Sequence, residues 1–428
     1  MNLPGQNTIQ TRDELIYLLT EAAALEHSLT CQYLFAALSL KRDTSEGLTD
    51  EQMNDVANWE RFILMVARQE MEHLGLVNNL LTAIGASPHL LHDNFPYPTQ
   101  LYANVMALEC FSEQTLRRFI CFERPANVRP EDAYCMLTPV PPPDGLGGPT
   151  PVNIKSVGEL YEIISSGFQQ LTANGVNLFI GPPKAQVTPQ ELMTYFPRVG
   201  TTGGVWDIWL SPITDYESAQ HAIELIVEQG EGSTVGGTLS HYATFVRILK
   251  GLQSWQAKDP NFQPARPVVP NPALYVESGE HDRTLITNED ARLVLDLFNG
   301  AYETMLLMLI RFFANTDEGP TGLGEMAALA FSPWMTMVIR PLSEVLTSLP
   351  AFAAGGPQRA GPTFEIYHDL HFLPHERAAW QVIFERMREM AAYALQISQR
   401  PNVPERMKSV AESLRLIAVR FQGDMKLT

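Results

Sequence analysis

Glu70 and His73 stand three residues apart in the run RQEMEHLGL of a 428-residue chain. On a helix that spacing puts both side chains on one face, where they can reach the same ion. A hard carboxylate oxygen and a borderline imidazole nitrogen suit iron or manganese. The pair alone is a weak signal, because Glu and His meet at this spacing on many solvated helices. Its setting says more. Val66, Val77, Leu80 and Leu81 share or border the same face, and a carboxylate buried there without a partner is costly, so a cation is one way to satisfy it. Glu72 points elsewhere and is expected in solvent.

Glu26 poses the same question upstream. It lies among Ala22, Leu25, Leu29 and Thr30, seven residues before Tyr33, so its carboxylate faces a core and wants a proton or a cation. His27 sits about 100 degrees round the helix from it and reads as a surface histidine or a supporting one. Further along, IELIVEQGEG offers Glu224, Glu228 and Glu231 on one face, and LSHYATF offers His241. A second Glu-x-x-His would need its acid at 238, where the residue is Thr238. Either Glu231 supplies the missing oxygen, or the site has fewer oxygens and holds one ion. In SVGELYEIISSGF, Glu162 reads as an acid favouring a helix start, and Glu159 stays a candidate ligand. The candidate metal ligands are therefore Glu26, Glu70, His73, Glu159, Glu228, Glu231 and His241. No catalytic residue and no organic cofactor site is assigned. His368, His371 and His375 in YHDLHFLPH read as surface or capping histidines, because Pro374 breaks any helix between them.

These side chains need long helices to position them. Apolar residues from Arg12 to about Lys41 recur at three- and four-residue spacing, and Thr49 with Gln52 has the capping-box form ahead of a second long helix to about Ile84. Further helices are predicted at about Thr99 to Phe122, Val157 to Leu171, Tyr216 to Gln229 and Leu239 to Leu252, the last two as a hairpin. After the proline-rich AKDPNFQPARPVVPNP come helices at about Asn288 to Asn315, Gly324 to Leu349, Pro374 to Ser398 and Pro404 to Phe421. FEIYHDLHF and TYFPRVGTTGGVWDIWL are the two places where short strands are expected. The fold class is mainly α. The expected division is a metal-binding bundle over 1–255 with an insert at about 87–215, a connector at 256–275 and a C-terminal helical region at 276–428.

Composition narrows the partners. With 48 acidic against 30 basic residues, the net charge of -18 opposes a phosphate backbone, so nucleic acid is not expected. No uninterrupted apolar run reaches bilayer length and the N-terminus has no secretory pattern, so neither a membrane span nor export is expected. Four cysteines without CxxC pairing suggest reduced thiols and a cytoplasmic protein, with Cys31 and Cys110 as buried small hydrophobes. The methionines of MLLMLIRFF and PWMTMVI read as core.

The segments ALEHSLTCQYLFAALSL, ARQEMEHLGLVNNLLTAIGASP, SVGELYEII, AIELIVEQGEGS and LSHYATF resemble the ferritin-like domain of iminophenylpyruvate dimer synthases of violacein and indolocarbazole biosynthesis and of their stand-alone bacterial homologues. The resemblance covers most of residues 12 to 252. It implies a ferritin-like four-helix bundle with a long elaborated crossover, in which Glu26, Glu70 and His73 bind metal and His241 with an acid of VEQGEG completes the site. The C-terminal GEMAALAFSPWMTMVIRPL and AGPTFEIYHDLHFLP are similar to the stand-alone members. The synthases carry this domain in a larger chain or beside a partner oxidase, and no GxGxxG opening for a flavin is present here.

Three functions follow as expectations. The first is a non-haem iron or manganese oxidoreductase, with one or two ions as Fe2+/Fe3+, using dioxygen or peroxide on a small, aromatic amino-acid-derived substrate of secondary metabolism. The second is coupling of an imine or enamine of an aromatic 2-oxo acid, with Tyr33, Phe35, Tyr102 and Phe245 either lining its pocket or filling core. The third is a non-catalytic metal-binding or iron-storage protein. A homo-oligomer or a partner oxidase is the expected company.

Overall fold

Local signals set the first two helices. Thr11 accepts the amide of Glu14, and Glu14 reaches back to the Thr11 amide, opening α1 (Arg12–Ser39) with Asp13 and Glu14 against its positive end. Thr49 and Gln52 form the same reciprocal cap on α2 (Asp50–Ala83). The two helices pack against each other along their length. They belong to a computed structural model that describes residues 9–99, 105–125, 127–129, 154, 156–187, 210–232, 234–235, 238–277, 280–314, 330–368 and 370–427.

Two short helices run in series against α1. In α3 (Glu113–Phe122), Phe111 just before the helix donates its amide to Ser39, Arg118 donates to the Gln32 amide oxygen, and Tyr33 donates to Glu123 at the end. In α4 (Val157–Ala173), Tyr161 donates to Glu26, and Gly167 packs against Ile9. The order 39, 32, 26, 9 on one side against 111, 118, 161, 167 on the other is one antiparallel rod broken in the middle. The same logic holds against α2. The α5 helix (Tyr216–Glu231) places Gln229 on His73. The α6 helix (His241–Lys258) places His241 on Gln69 and Trp255 on Asp55, and Asp259 just beyond it accepts from Gln52. The bundle therefore has four positions, and the third and fourth are each filled by two helices.

This differs from the hairpin expected of α5 and α6. They follow one another along α2 instead, separated by a short antiparallel hairpin of β3 (Thr234–Val235) and β4 (Thr238–Leu239). A second correction concerns the helix expected from Thr99. Among the described residues only Glu113–Phe122 is helical, with Ser112 as its cap, while β1 (Tyr97–Pro98) and β2 (Val105–Met106) pair before it. The intervening backbone is claimed by tertiary partners: Leu108 and Asn271 exchange hydrogen bonds of 2.8 and 2.9 Å.

The proline-rich connector lies bound on the bundle. Lys41 N donates to Pro264 O at 2.8 Å and Arg266 N to Ser39 O at 2.9 Å. Beyond it β5 (Pro272–Ala273) and β6 (Thr284–Leu285) pair in parallel. Then come α7 (Glu289–Ala314), a π-helical segment Ala330–Ile339, α8 (Arg340–Leu346), and the packed pair α9 (Glu376–Ser398) and α10 (Arg406–Asp424). The α-helix expected from Gly324 takes π turns because Pro333 cannot donate to its ladder. Residues 315–329 lie outside the described part. So do Tyr102 and most of the TYFPRVGTTGGVWDIWL segment, and the described residues of FEIYHDLHF form no strand. The α7 helix is long and apolar enough to cross a membrane, but 72% of its apolar window is buried inside the protein. Met305 and Met308 in it are core. One connected set of buried apolar side chains runs from α1 to α10.

Candidate metal centre

Both broken rods are interrupted at the same level. Glu123 closes α3, Gly158 opens α4, Glu231 closes α5 and His241 opens α6, and these ends face Glu26 of α1 and Glu70 and His73 of α2. Glu26, Glu70, His73, Glu123 and His241 are all buried. His73 Nδ1 lies 3.1 Å from Glu70 Oε2 and 3.6 Å from Glu26 Oε2. His241 Nδ1 lies 2.8 Å from Glu70 Oε1 and 3.5 Å from Glu123 Oε2. Glu70 thus stands between two histidines, each of which also faces one further carboxylate.

The outer atoms fix the inner ones. His73 Nε2 donates to Gln229 Oε1 at 2.9 Å, and His241 Nε2 donates to Gln69 Oε1 at 3.2 Å. Each ring therefore turns Nδ1 inward. Tyr161 donates to Glu26 and Tyr33 to Glu123. Tyr33 packs edge-on against Phe119 and beside Phe245, so Tyr33 and Phe245 are core rather than pocket wall. Phe35 is buried too, against Gly361.

The protonation pattern shows a site short of positive charge. Burial first, then repulsion from Glu70, pushes Glu26 up to about 8. Burial and Glu70 also raise Glu123. Burial acts upward on Glu70 as well, but His241 and His73 overcome it and hold Glu70 well below the usual carboxylate range. Burial acts downward on the two histidines. Against it, Glu70 and Glu123 carry His241 up to about 9, and Glu70 with Glu26 carry His73 well above its ordinary value. Protons are standing in for a cation.

The residues fit a bound metal. Glu26 Oε2 is buried with no hydrogen-bond partner, and Glu70 Oε1 and His241 Nδ1 are buried 2.8 Å apart as a close ion pair without a well-aligned hydrogen bond, which is the arrangement of ligand atoms facing an ion. Three carboxylates and two imidazoles are hard and borderline donors of the kind that hold iron or manganese, one carboxylate short of the four that bundles with a metal pair use. Glu70, His73 and His241 alone already bring their ligand atoms within 4.8 Å of one another. Glu231 comes to the same cleft: a Cβ on Gly158 would stand 1.9 Å from Glu231 Oε1, so only glycine there leaves room for that side chain. The cleft is lined by Glu70, His73, Glu123, Gly158, Tyr161 and Glu231 and holds about 10 Å3, room for about one water.

Of the residues singled out from sequence, the structure brings together Glu26, Glu70, His73 and His241 and sets Glu231 at the cleft. Glu228 and Glu224 are exposed on α5, and Glu159 is not among the side chains lining the cleft. Glu72, expected in solvent, is buried, and so is His27. His368 is 73% exposed and pairs with Glu303. Cys121 is disulfide-bonded, unlike the reduced thiol expected of it. Sequence reading missed Glu123. Its one signal is an acid just past the apolar end of a helix, where the dipole disfavours negative charge unless a cation lies near.

The Ferritin-like family profile matches residues 19–250, more than half of the chain. The chain belongs to the ferritin-like family. It is 29% identical over 418 residues to dichlorochromopyrrolate synthase of Lentzea aerocolonigenes, covering 90% of this chain and 39% of that one. It is 28% identical over 393 residues to 2-imino-3-(indol-3-yl)propanoate dimerase of Chromobacterium violaceum, covering 84% of this chain and 35% of the relative. The chain thus spans well under half the length of both relatives. A solved ferritin-like protein from Caulobacter vibrioides aligns at 17% identity and a TM-score of 0.46, covering 83% of this chain and 100% of that one.

Proposed function

We propose that this ferritin-like chain is a metal-dependent enzyme that oxidatively couples a small aromatic amino-acid-derived imine, with iron or manganese held by Glu26, Glu70, His73, Glu123 and His241 and with Glu231 at the open edge. The observation that carries this reading is the cleft itself. It reaches Glu70, His73 and Glu123 from between two helix breaks, and its other wall is apolar, with Val157, Ile226 and Val227. The two relatives, by name a synthase and an imine dimerase, supply the substrate class.

Joining two enamine carbons forms one carbon–carbon bond and releases two electrons and two protons, so the reaction needs a two-electron acceptor such as dioxygen or peroxide. The metal, when bound, supplies the redox capacity and the Lewis acidity for that exchange. The chain's own residues do the rest. Tyr33 and Tyr161 hold Glu123 and Glu26 by their hydroxyl protons, and burial with the neighbouring carboxylates keeps the Tyr33 phenol protonated well above its ordinary range. The apolar wall excludes water from a reactive substrate.

The test is to load the purified protein with iron or manganese and supply indole-pyruvate imine generated in place by an amino-acid oxidase. The expected result is a metal-dependent dimer detected by mass spectrometry and absent with Glu70→Ala. Full metal loading with no consumption of imine beyond the spontaneous rate would overturn the proposal.

A further inference from the structure

A second cluster lies behind α1. His27 and Cys31 are four residues apart and so share a face of α1, His92 comes from the segment after α2, and Tyr302 comes from α7. The ligand atoms of His27, Cys31 and His92 lie within 4.8 Å of one another, and all four residues are buried. We propose that His27, Cys31 and His92, with the Tyr302 oxygen as the fourth ligand, form a second metal site that takes a thiolate-seeking divalent ion of the zinc class.

The argument is one of proton counting. His27 Nδ1 meets Leu90 O at 3.0 Å, and His92 Nδ1 meets Asp93 O at 2.7 Å. A carbonyl oxygen only accepts, so each Nδ1 carries the proton and each Nε2 presents a lone pair. Both Nε2 atoms face the same oxygen: Tyr302 Oη lies 2.7 Å from that of His27 and 2.8 Å from that of His92. One phenol proton serves only one of them. Cys31 Sγ stands 3.5 Å from Tyr302 Oη and 3.9 Å from His92 Nε2, and brings a single further proton. At least one of the two short nitrogen–oxygen contacts is therefore lone pair against lone pair, unless a buried imidazolium forms without a carboxylate beside it. A cation at the centre removes the conflict.

The surroundings point to the kind of ion. Two imidazoles fixed by Nδ1–H to backbone carbonyls are set as metal ligands usually are, and two nitrogens, one sulfur and one oxygen make a tetrahedral zinc-type set. The adjoining cavity is lined by apolar side chains such as Leu34, Met71, Leu74 and Met305, and none of the described residues in its wall is a carboxylate. That favours sulfur and nitrogen ligation over the oxygen-rich chemistry of the first centre. On binding, the Cys31 S–H bond breaks, its proton leaves to solvent and a metal–sulfur bond forms, with no change of oxidation state. The site ties α1, the segment after α2 and α7 together, so its consequence is to fasten the C-terminal helices to the bundle.

Cobalt(II) is the probe, because its bond to a thiolate gives a near-ultraviolet charge-transfer band that carboxylate and imidazole ligands do not. Titrating metal-stripped full-length protein under argon should give that band at one equivalent. It should persist in Glu70→Gln, which impairs the first centre, and in Cys110→Ser, which removes the other free thiol among the described residues. It should vanish in Cys31→Ser and weaken in His92→Gln. Zinc should raise the melting temperature of Glu70→Gln and leave that of the double variant Glu70→Gln/His92→Gln unchanged. A wild-type protein with no thiolate band, or a band that survives Cys31→Ser, overturns the proposal, and the wild-type titration decides even where a variant fails to fold.

Discussion

Each histidine of the carboxylate centre spends its Nε2–H on a glutamine oxygen, Gln229 for His73 and Gln69 for His241. Without those acceptors, either ring could rotate or turn a protonated nitrogen inward. Replacing Gln69 or Gln229 with leucine should therefore lower iron affinity by about 10- to 100-fold while leaving helix content unchanged. Metal titration of the two variants by calorimetry checks this, and unchanged affinity would mean that the rings are held by packing alone. Glu123→Gln is the sharper case, since it keeps the shape and removes the charge, and bound metal should fall by about half by elemental analysis if Glu123 and His241 hold their own ion. Glu26, Glu70 and His73 were legible in the sequence because their apolar helical neighbours fix which way they face, whereas His241, at the first position of its helix, was placed by the resemblance. Glu123 was not, because it follows a helix whose start was misjudged and its role depends on Tyr33 and His241 arriving from other elements. The carboxylate that faces His241 besides Glu70 is Glu123, which comes from across the bundle rather than from position 238.

At the scale of elements, the two long helices were readable from their caps and the two broken rods were not. Thr49 and Gln52 announce α2 locally, and Thr49→Ala should cost about 1 kcal/mol in denaturant unfolding with metal content unchanged. Nothing local announces that α5 and α6 run in series, because that depends on His73 meeting Gln229 and Asp55 meeting Trp255. The break is where the proposed site lies. Four helix ends meet there, and Gly158 leaves the space that Glu231 fills. In Gly158→Ala the added methyl must displace the Glu231 carboxylate. The expectation is a loss of turnover of at least about tenfold, equivalent to 1.4 kcal/mol of barrier, with thermal stability nearly unchanged. Normal turnover in that variant would remove Glu231 from the working site.

For the molecule as a whole, the centre couples pH, metal and stability. His241 is raised from 6.5 to about 9, so its contribution to stability is complete below 6.5 and lost as pH rises through about 9. Glu26, raised from 4.5 to about 8 by burial and by Glu70, acts in the same direction, with its contribution complete below 4.5 and lost through about 8. Glu70 is shifted the other way, and its contribution is already complete above 4.5. Between pH 6.5 and 9 the metal-free protein should therefore lose stability steadily as these protons leave. Metal replaces those same protons, so loading should release them, bind more tightly as pH rises, and flatten the decline. At free metal about 100-fold above Kd the added stability is about 2.7 kcal/mol. Melting curves of stripped and iron-loaded protein at the two ends of that range check the argument. The gap between the two forms should widen toward pH 9. Parallel declines would mean that the protons on His241 and Glu26 do not occupy the place of the ion.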